Sequence, residues 1–228
     1  MINNTERTQI INELIDQGVQ IPCPDGVIIE KNVIIGKGSV IMPNTVLLGD
    51  VKIGVDCVIG PNSYIVDSVI GDNTKLNNTQ SYNSEIGSGV TAGPFVHIRP
   101  NCRIADNVHI GNFVEVKNST VGDGSKLPHL LYVGDSDVGK DVNFGCGCVT
   151  VNYDGRNKSR TTVKDGAFIG CNTNLVAPVT VGENAFTAAG STITEDVPDN
   201  ALAVARNRQV VKKDWVTIKK PYKRQHNK

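Results

Sequence analysis

Aromatic side chains make up only 5% of this 228-residue sequence, with a single tryptophan. An interior built on stacked rings is therefore excluded, and small aliphatics must fill the core. No apolar run approaches the ~20 residues that cross a bilayer, so no membrane partner is expected. The opening stretch, MINNTERTQI, lacks the basic start and apolar run of a secretory signal, and the expected location is cytoplasmic. Net charge is also absent, since 23 basic residues balance 23 acidic ones, which removes any global pull toward nucleic acid. The balance is uneven, because Arg206 to Lys228 holds nine Lys or Arg against Asp214 alone and leaves residues 1–205 acidic by eight. The six cysteines, at 23, 57, 102, 146, 148 and 171, are too scattered for a disulfide framework and read as reduced thiols.

What the sequence does have is a beat of six. Apolar residues fall at Ile35, Ile41, Leu47, Ile53, Ile59 and Ile65, then after a five-residue step at Ile70, Leu76 and Tyr82. The beat resumes at Ile86 and runs to Val116, continues from Val121 through Val133, from Val138 to Thr150, and from Val163 to Ile193. Glycine often follows the aliphatic, and a small or β-branched residue such as Ser39, Thr45 or Cys57 stands four places on. A helix repeats every 3.6 residues and a lone strand every two. A period of six fits a short strand plus a tight corner, stacked as a parallel β-solenoid. Thr5 to Gln17 is different: Ile10, Ile11, Leu14 and Ile15 share a helical face and Gly18 stops it, so a helix is expected to cap the first coil.

Some chemistry is legible from spacing. Arg99 and Lys117 are 18 positions apart, which is one coil, so they are expected to stack on one side. Such a pair repels unless an anion sits between them. It would make a phosphate clamp, although spacing alone favours two solvated surface charges. His129 follows inward Leu127 by two places, with Glu115 in the coil before it; a histidine beside a carboxylate is the usual oriented base, yet a lone surface histidine is more often idle. Tyr132 and Asn143 lie in the hexads that follow. The beat fails once, over NYDGRNKSRT, where Arg156, Lys158 and Arg160 face only Asp154.

The pattern resembles the hexapeptide-repeat signature of acyltransferases. From Gly93 to Arg206, through GPFVHIRPN, NFVEVKN, KLPHLLYVGD, VTVNYDGRNK, NTNLVAP and NALAVAR, the chain is similar to the C-terminal half of the bifunctional N-acetylglucosamine-1-phosphate uridyltransferase/glucosamine-1-phosphate N-acetyltransferase family. From Val27 to Val90 only the hexads and SVIGDN match. The resemblance implies an all-β, left-handed triangular β-helix, a hand that the general right-handed crossover rule would not have suggested. It further implies a homotrimer with sites between subunits and an acetyl-CoA-dependent transfer to the amine of glucosamine 1-phosphate, a step in UDP-N-acetylglucosamine synthesis. By the same resemblance His129 is the general base and Glu115 orients it. Arg99, Lys117, Tyr132 and Lys158 hold the sugar phosphate, and Asn143 the sugar. Cys146, Asn152, Tyr153, Cys171, Ala189 and Arg206 line the acetyl-CoA site.

These matches divide the chain into an N-terminal helix and linker (1–26), a β-helix acetyltransferase domain (27–205) with a protruding loop at 152–162, and a basic tail (206–228). The loop is expected to cross a cleft to a neighbouring subunit. The family's Gly-rich nucleotide loop has no counterpart here, so no uridyltransferase activity is expected of this sequence. Pro128 and Leu131 stand where the resemblance implies small residues and are expected to narrow the sugar pocket or tilt the base. Cys146 and Cys171 replace smaller residues near the thioester. The CGC at 146–148 lacks a second pair, so no metal is expected. A nucleotide-linked aminosugar acceptor, or a trimeric scaffold that binds CoA without catalysis, are the competing readings.

Overall fold

A computed structural model of the chain describes residues 3–219. The end of the basic tail, including Lys223 and Arg224, lies outside the described residues. Asn3 caps the first helix by accepting the Glu6 N–H at 2.9 Å, and α1 (Asn4–Asp16) follows. Ile10, Ile11 and Leu14 turn inward, and Arg7 donates to the carbonyls of Val27 and Pro24, which ties the helix to the first coil. Ile15 does not share that face; it is 45% exposed, because the contact with the coil is only one narrow stripe wide. The solenoid also starts earlier than expected. Val19 and Ile21 are already buried, and Gln20 bridges to Val40.

From there the chain winds in about ten coils, a left-handed parallel β-helix. Strands of two to four residues pair in parallel with the coils before and after, and each face keeps one inward ladder. Ile35, Ile53, Ile70 and Ile86 stack on the first face, and the ladder continues through Ile104 and Val121 to Val181. Leu47, Ile65, Ile98 and Val116 form the ladder of the second face, and Ile41, Ile59, Leu76 and Ile110 that of the third. The short coil departs from the beat as read. Ser81, not Tyr82, stands between Ile65 and Ile98, and Tyr82 turns outward to pack at 6.0 Å from Tyr64 and 5.7 Å from His97. The coil drops its residue before the tyrosine instead of after it, which leaves the phenol at the surface.

Two strands differ from the rest. His109–Lys117 and Lys126–Gly134, nine residues each, run unbroken round the corner between the third and second faces. Their register joins Ile110 to Leu127, Asn112 to His129 and Val114 to Leu131. Gly111 permits this close passage, since a Cβ there would stand 1.7 Å from the Pro128 carbonyl oxygen. Along the same corner, other coils place Asn44, Asn62, Asn78 and Asn172 at positive φ. On the three coils of the long strands and their predecessor the residues are Phe95, Phe113 and Leu130, at φ 63°, 58° and 49°. A bulky side chain in that region costs about 1–2 kcal/mol.

The break in the beat is a hairpin. Val121 pairs with Val138, 17 positions on, but Val138 pairs with Val163, 25 positions on. The surplus leaves the corner as a small antiparallel excursion closed by a bridge between Tyr153 and Lys158. The Asp154 carboxylate accepts from the N–H groups of Arg156 and Asn157 at 2.7 and 2.6 Å. Arg160 pins its base, with Nη2 and Nε at 2.6 and 2.9 Å from the two Asp137 oxygens and further bonds of 3.1 Å to the carbonyls of Asn118 and Ser136. This basic residue is therefore an anchor, not a free charge. From the corner geometry, Gly111→Ala should cost about 3 kcal/mol, the upper end for overpacking a tight site. An unfolding curve in urea that superimposes on that of the unmutated protein would contradict the close passage.

Candidate active site

The ladder brings one strongly charged cluster together on the second face. Arg99 follows Ile98 and Lys117 follows Val116, and these two aliphatics are register partners, so the cations stand on adjacent coils. Each has a carboxylate. Arg99 Nη1 lies 3.0 Å from Glu115 Oε1, and Lys117 Nζ lies 3.3 Å from Asp135 Oδ2. The second pair is withdrawn from solvent, with side chains 18% and 7% exposed. Asp135 also accepts from Asn118 and Asn152, and Asn152 donates in addition to the Tyr132 hydroxyl at 3.3 Å. Burial works to raise the Asp135 carboxyl, but the bonds from Asn118, Asn152 and Lys117 outweigh it and hold the carboxyl below its ordinary range.

Lys158 completes the cluster from the hairpin. Its ammonium comes against that of Lys117, and this contact and charge, with Arg99 adding to them, lower the Lys158 pKa. Burial also acts to lower Lys117, but the bond to Asp135 and its charge prevail and raise it. Three cations thus share two carboxylates on one small surface. Two ammonium groups in contact create a local excess of positive charge that an anion relieves. Within one chain Lys158 stands at the cluster of Lys117 and Arg99, on the hairpin that the bridge between Tyr153 and Lys158 closes.

A second line of residues follows the corner. Hydrogen bonds step along it, from Gly147 N–H to the carbonyls of His129 and Leu130, from Asn172 N–H to Cys146 O and from Gly190 N–H to Cys171 O. Asn112, His129, Cys146, Cys171 and Ala189 therefore occupy one column, Asn112 half-buried and the other four exposed, with a rise of ~4.8 Å per coil. Arg206 lies beside Gly190 at the end of this column. Cys146 and Cys171 are exposed, whereas Cys148 is buried, donates to Gly170 O, and has its thiol pushed up to about 11 by burial, with the neighbouring Cys171 and Cys146 adding to it. Burial likewise raises the thiols of Cys57 and Cys102.

Several expected roles change in this geometry. Glu115 faces Arg99, and the ring of His129 instead has its Nδ1 3.1 Å from Asn112 Oδ1. The reason is register: Asn112 is opposite His129, while Glu115 is opposite Tyr132 on the next face. Asn152 is buried and braces Asp135 and Tyr132, so it serves the charged cluster rather than the corner column. Tyr153 is 55% exposed on the hairpin and bonds to Gly155 O. Asn143 stands on the third face, between Lys126 and Phe168, apart from the cationic cluster. Leu131 points into the core between Val114 and Cys148 at 4% exposure and cannot narrow a sugar pocket. Among the described residues no three His, Cys, Asp or Glu side chains gather as metal donors. Asp135, Asn118 and Asn112 were not anticipated, although Asp135 follows Lys117 by the same 18 positions that separate Lys117 from Arg99.

The bacterial transferase hexapeptide model matches residues 32–67, 83–118 and 160–195. Among solved structures, the Arabidopsis UDP-N-acetylglucosamine acyltransferase superposes with a TM-score of 0.59 at 17% identity, over 79% of this chain and 70% of that one, which is a likeness of fold. The chain carries hexapeptide repeats and has the fold of a parallel β-helix. More narrowly, it matches the C-terminal acetyltransferase half of the GlmU family. The bifunctional protein GlmU of a Geobacillus species is 56% identical over 210 residues, 92% of this chain and 46% of the relative, and that of Carboxydothermus hydrogenoformans is 53% identical over 203 residues, 89% and 46%. The chain thus spans about half the length of the curated relatives it matches.

The Asp135 carboxylate gives a test of the charged cluster. Its folded pKa lies below the ordinary value, so its contribution to stability is complete above that value and is lost as the pH falls through the folded one. Asp135→Asn should cost about 3 kcal/mol at neutral pH, as for breaking a buried ion pair on one side. The difference from the unmutated protein should shrink in acid. Equal urea midpoints at neutral pH would show that Lys117 does not depend on this partner.

Proposed function

We propose that this chain transfers acetyl from acetyl-CoA to the amine of an aminosugar phosphate, with glucosamine 1-phosphate as the acceptor. The observation that carries the reading is the gathering of Arg99, Lys117 and Lys158 against only two carboxylates, one corner away from His129. In this reading the sugar phosphate neutralises the cationic excess, with the fork of Arg99 and the point charges of the lysines sharing its oxygens. Tyr132 shares in holding the phosphate, and Asn143 contacts the sugar. The cosubstrate lies along the corner column, its thioester near His129 and Cys146 and its far end toward Cys171, Ala189 and Arg206. His129 accepts the proton of the amine as the amine attacks the thioester, and backbone N–H groups stabilise the oxyanion before thiolate leaves.

A homotrimer with shared sites suits the surfaces of the prism. Several outward positions on the second face are aliphatic, among them Val46, Leu48, Val66, Val149, Val151 and Val176. At its edge Phe95 and Phe113 stack at 5.3 Å and remain half exposed, with Leu130 beside them on the next coil. A second copy would cover this apolar edge and bring its own Asn143 toward the cationic cluster. With Leu131 in the core, the motive for a different acceptor weakens.

The reaction is tested by following thiol release from acetyl-CoA with a panel of aminosugars that do and do not carry phosphate. His129→Ala should lower turnover by ~10²–10⁴-fold while acetyl-CoA still binds. Lys117→Ala should weaken phosphate-bearing acceptors selectively. Full turnover by the first, or unchanged discrimination by the second, would remove the corresponding role. Sharing is tested by co-refolding Lys117→Ala with Asn143→Ala. If Asn143 comes from a neighbour, roughly a quarter of the interfaces in random closed rings are whole and activity returns. Verified mixed oligomers without activity would mean that both residues act from one chain.

A further inference from the structure

We infer that Asn112 is the positioning residue that holds His129 in the tautomer a base requires. The two residues are register partners on the nine-residue strands His109–Lys117 and Lys126–Gly134, so the backbone ladder itself sets their spacing. Asn112 Oδ1 stands 3.1 Å from His129 Nδ1. An amide oxygen only accepts, so this bond forms with the ring whose Nδ1 carries the hydrogen. The lone pair is then on Nε2, the nitrogen that points away from the preceding coil and is free to take a proton from an incoming amine. The inference rests on the reading of His129 as the base and adds to it the group that orients that base.

The geometry favours Asn112 over the carboxylate first expected. Glu115 is opposite Tyr132, on the far side of the corner, and its Oε1 is engaged by Arg99 at 3.0 Å. An uncharged partner also has a chemical consequence. A carboxylate against the ring would favour imidazolium and hold the proton before reaction, whereas an amide orients the neutral ring without adding a charge. Gly111 is part of the arrangement: its lack of a side chain lets the two strands pass closely enough for the bond to span a single coil.

Histidine selectively labelled with ¹⁵N reports the tautomer independently of activity, and the signal of His129 is identified by its loss in His129→Gln. The Nδ1–H form should dominate in the unmutated protein. Asn112→Ala should give a mixed tautomer and lower kcat by at least about tenfold, a share of the ~10²–10⁴ supplied by a general base, with KM for both substrates nearly unchanged. Asn112→Asp, which can only accept, should restore the Nδ1–H form. If the amide nitrogen faced the ring, Nδ1 would have to accept and the unmutated protein would show the Nε2–H form, and the inference falls. It falls equally if Asn112→Ala leaves both tautomer and kcat unchanged while His129→Gln is inactive. Full kcat in His129→Gln would instead overturn the base itself, and with it any positioning role in catalysis.

Discussion

The parallel ladder between successive coils is the constraint on which everything else rests. Its hydrogen bonds force each residue to lie over the one about a coil earlier, whatever the two side chains are. In the interior this is favourable, since Ile35, Ile53 and Ile70 or Ile41, Ile59 and Leu76 simply continue an apolar column. On the outside the same rule superimposes groups that would not choose each other. Arg99 over Lys117 and His129 over Cys146 are products of register, not of mutual attraction.

That rule makes the surface of the second face electrostatically costly, and the nearby residues respond to it. Asp135 gathers Lys117, Asn118 and Asn152, Glu115 holds Arg99, and Asp137 takes the charge of Arg160 at the base of the hairpin. The excess that is left is at Lys158 and Lys117, where the contact lowers the pKa of the more exposed lysine. A local excess of positive charge is in this sense what remains after the nearby carboxylates have been used. The corner column exposes instead an imidazole, two thiols and small groups.

Most of the fold is legible because a six-residue period leaves few alternatives, and apart from Tyr82 the ladder residues from Ile35 to Ile193 fall where the beat puts them. The failures share one cause: a period identifies a side of the prism but not a shift of one place within a coil. Tyr82 was taken as inward where Ser81 is, and Leu131 was read as a pocket residue though it fills the core. The charged pair Arg99 and Lys117 was found from its 18-residue spacing, and the same arithmetic would have led to Asp135. Asn112 escaped because an asparagine in a strand carries no signal of its own; only the pairing of the two long strands reveals what it faces.

The hairpin at 152–162 has a consequence for how such a molecule can change. The ladder closes on either side of it, Val138 meeting Val163 as though the surplus residues were absent. Core packing therefore takes no notice of the hairpin's length, and the entropic penalty of extending a flexible connection grows by only about 0.6 kcal/mol per doubling. Lys158 rides on the one segment of the coil that can be rewritten without rewriting the prism. The ends of the hairpin stay tied to the prism through Asn152 and Arg160, and variation is free to accumulate in the few residues between them.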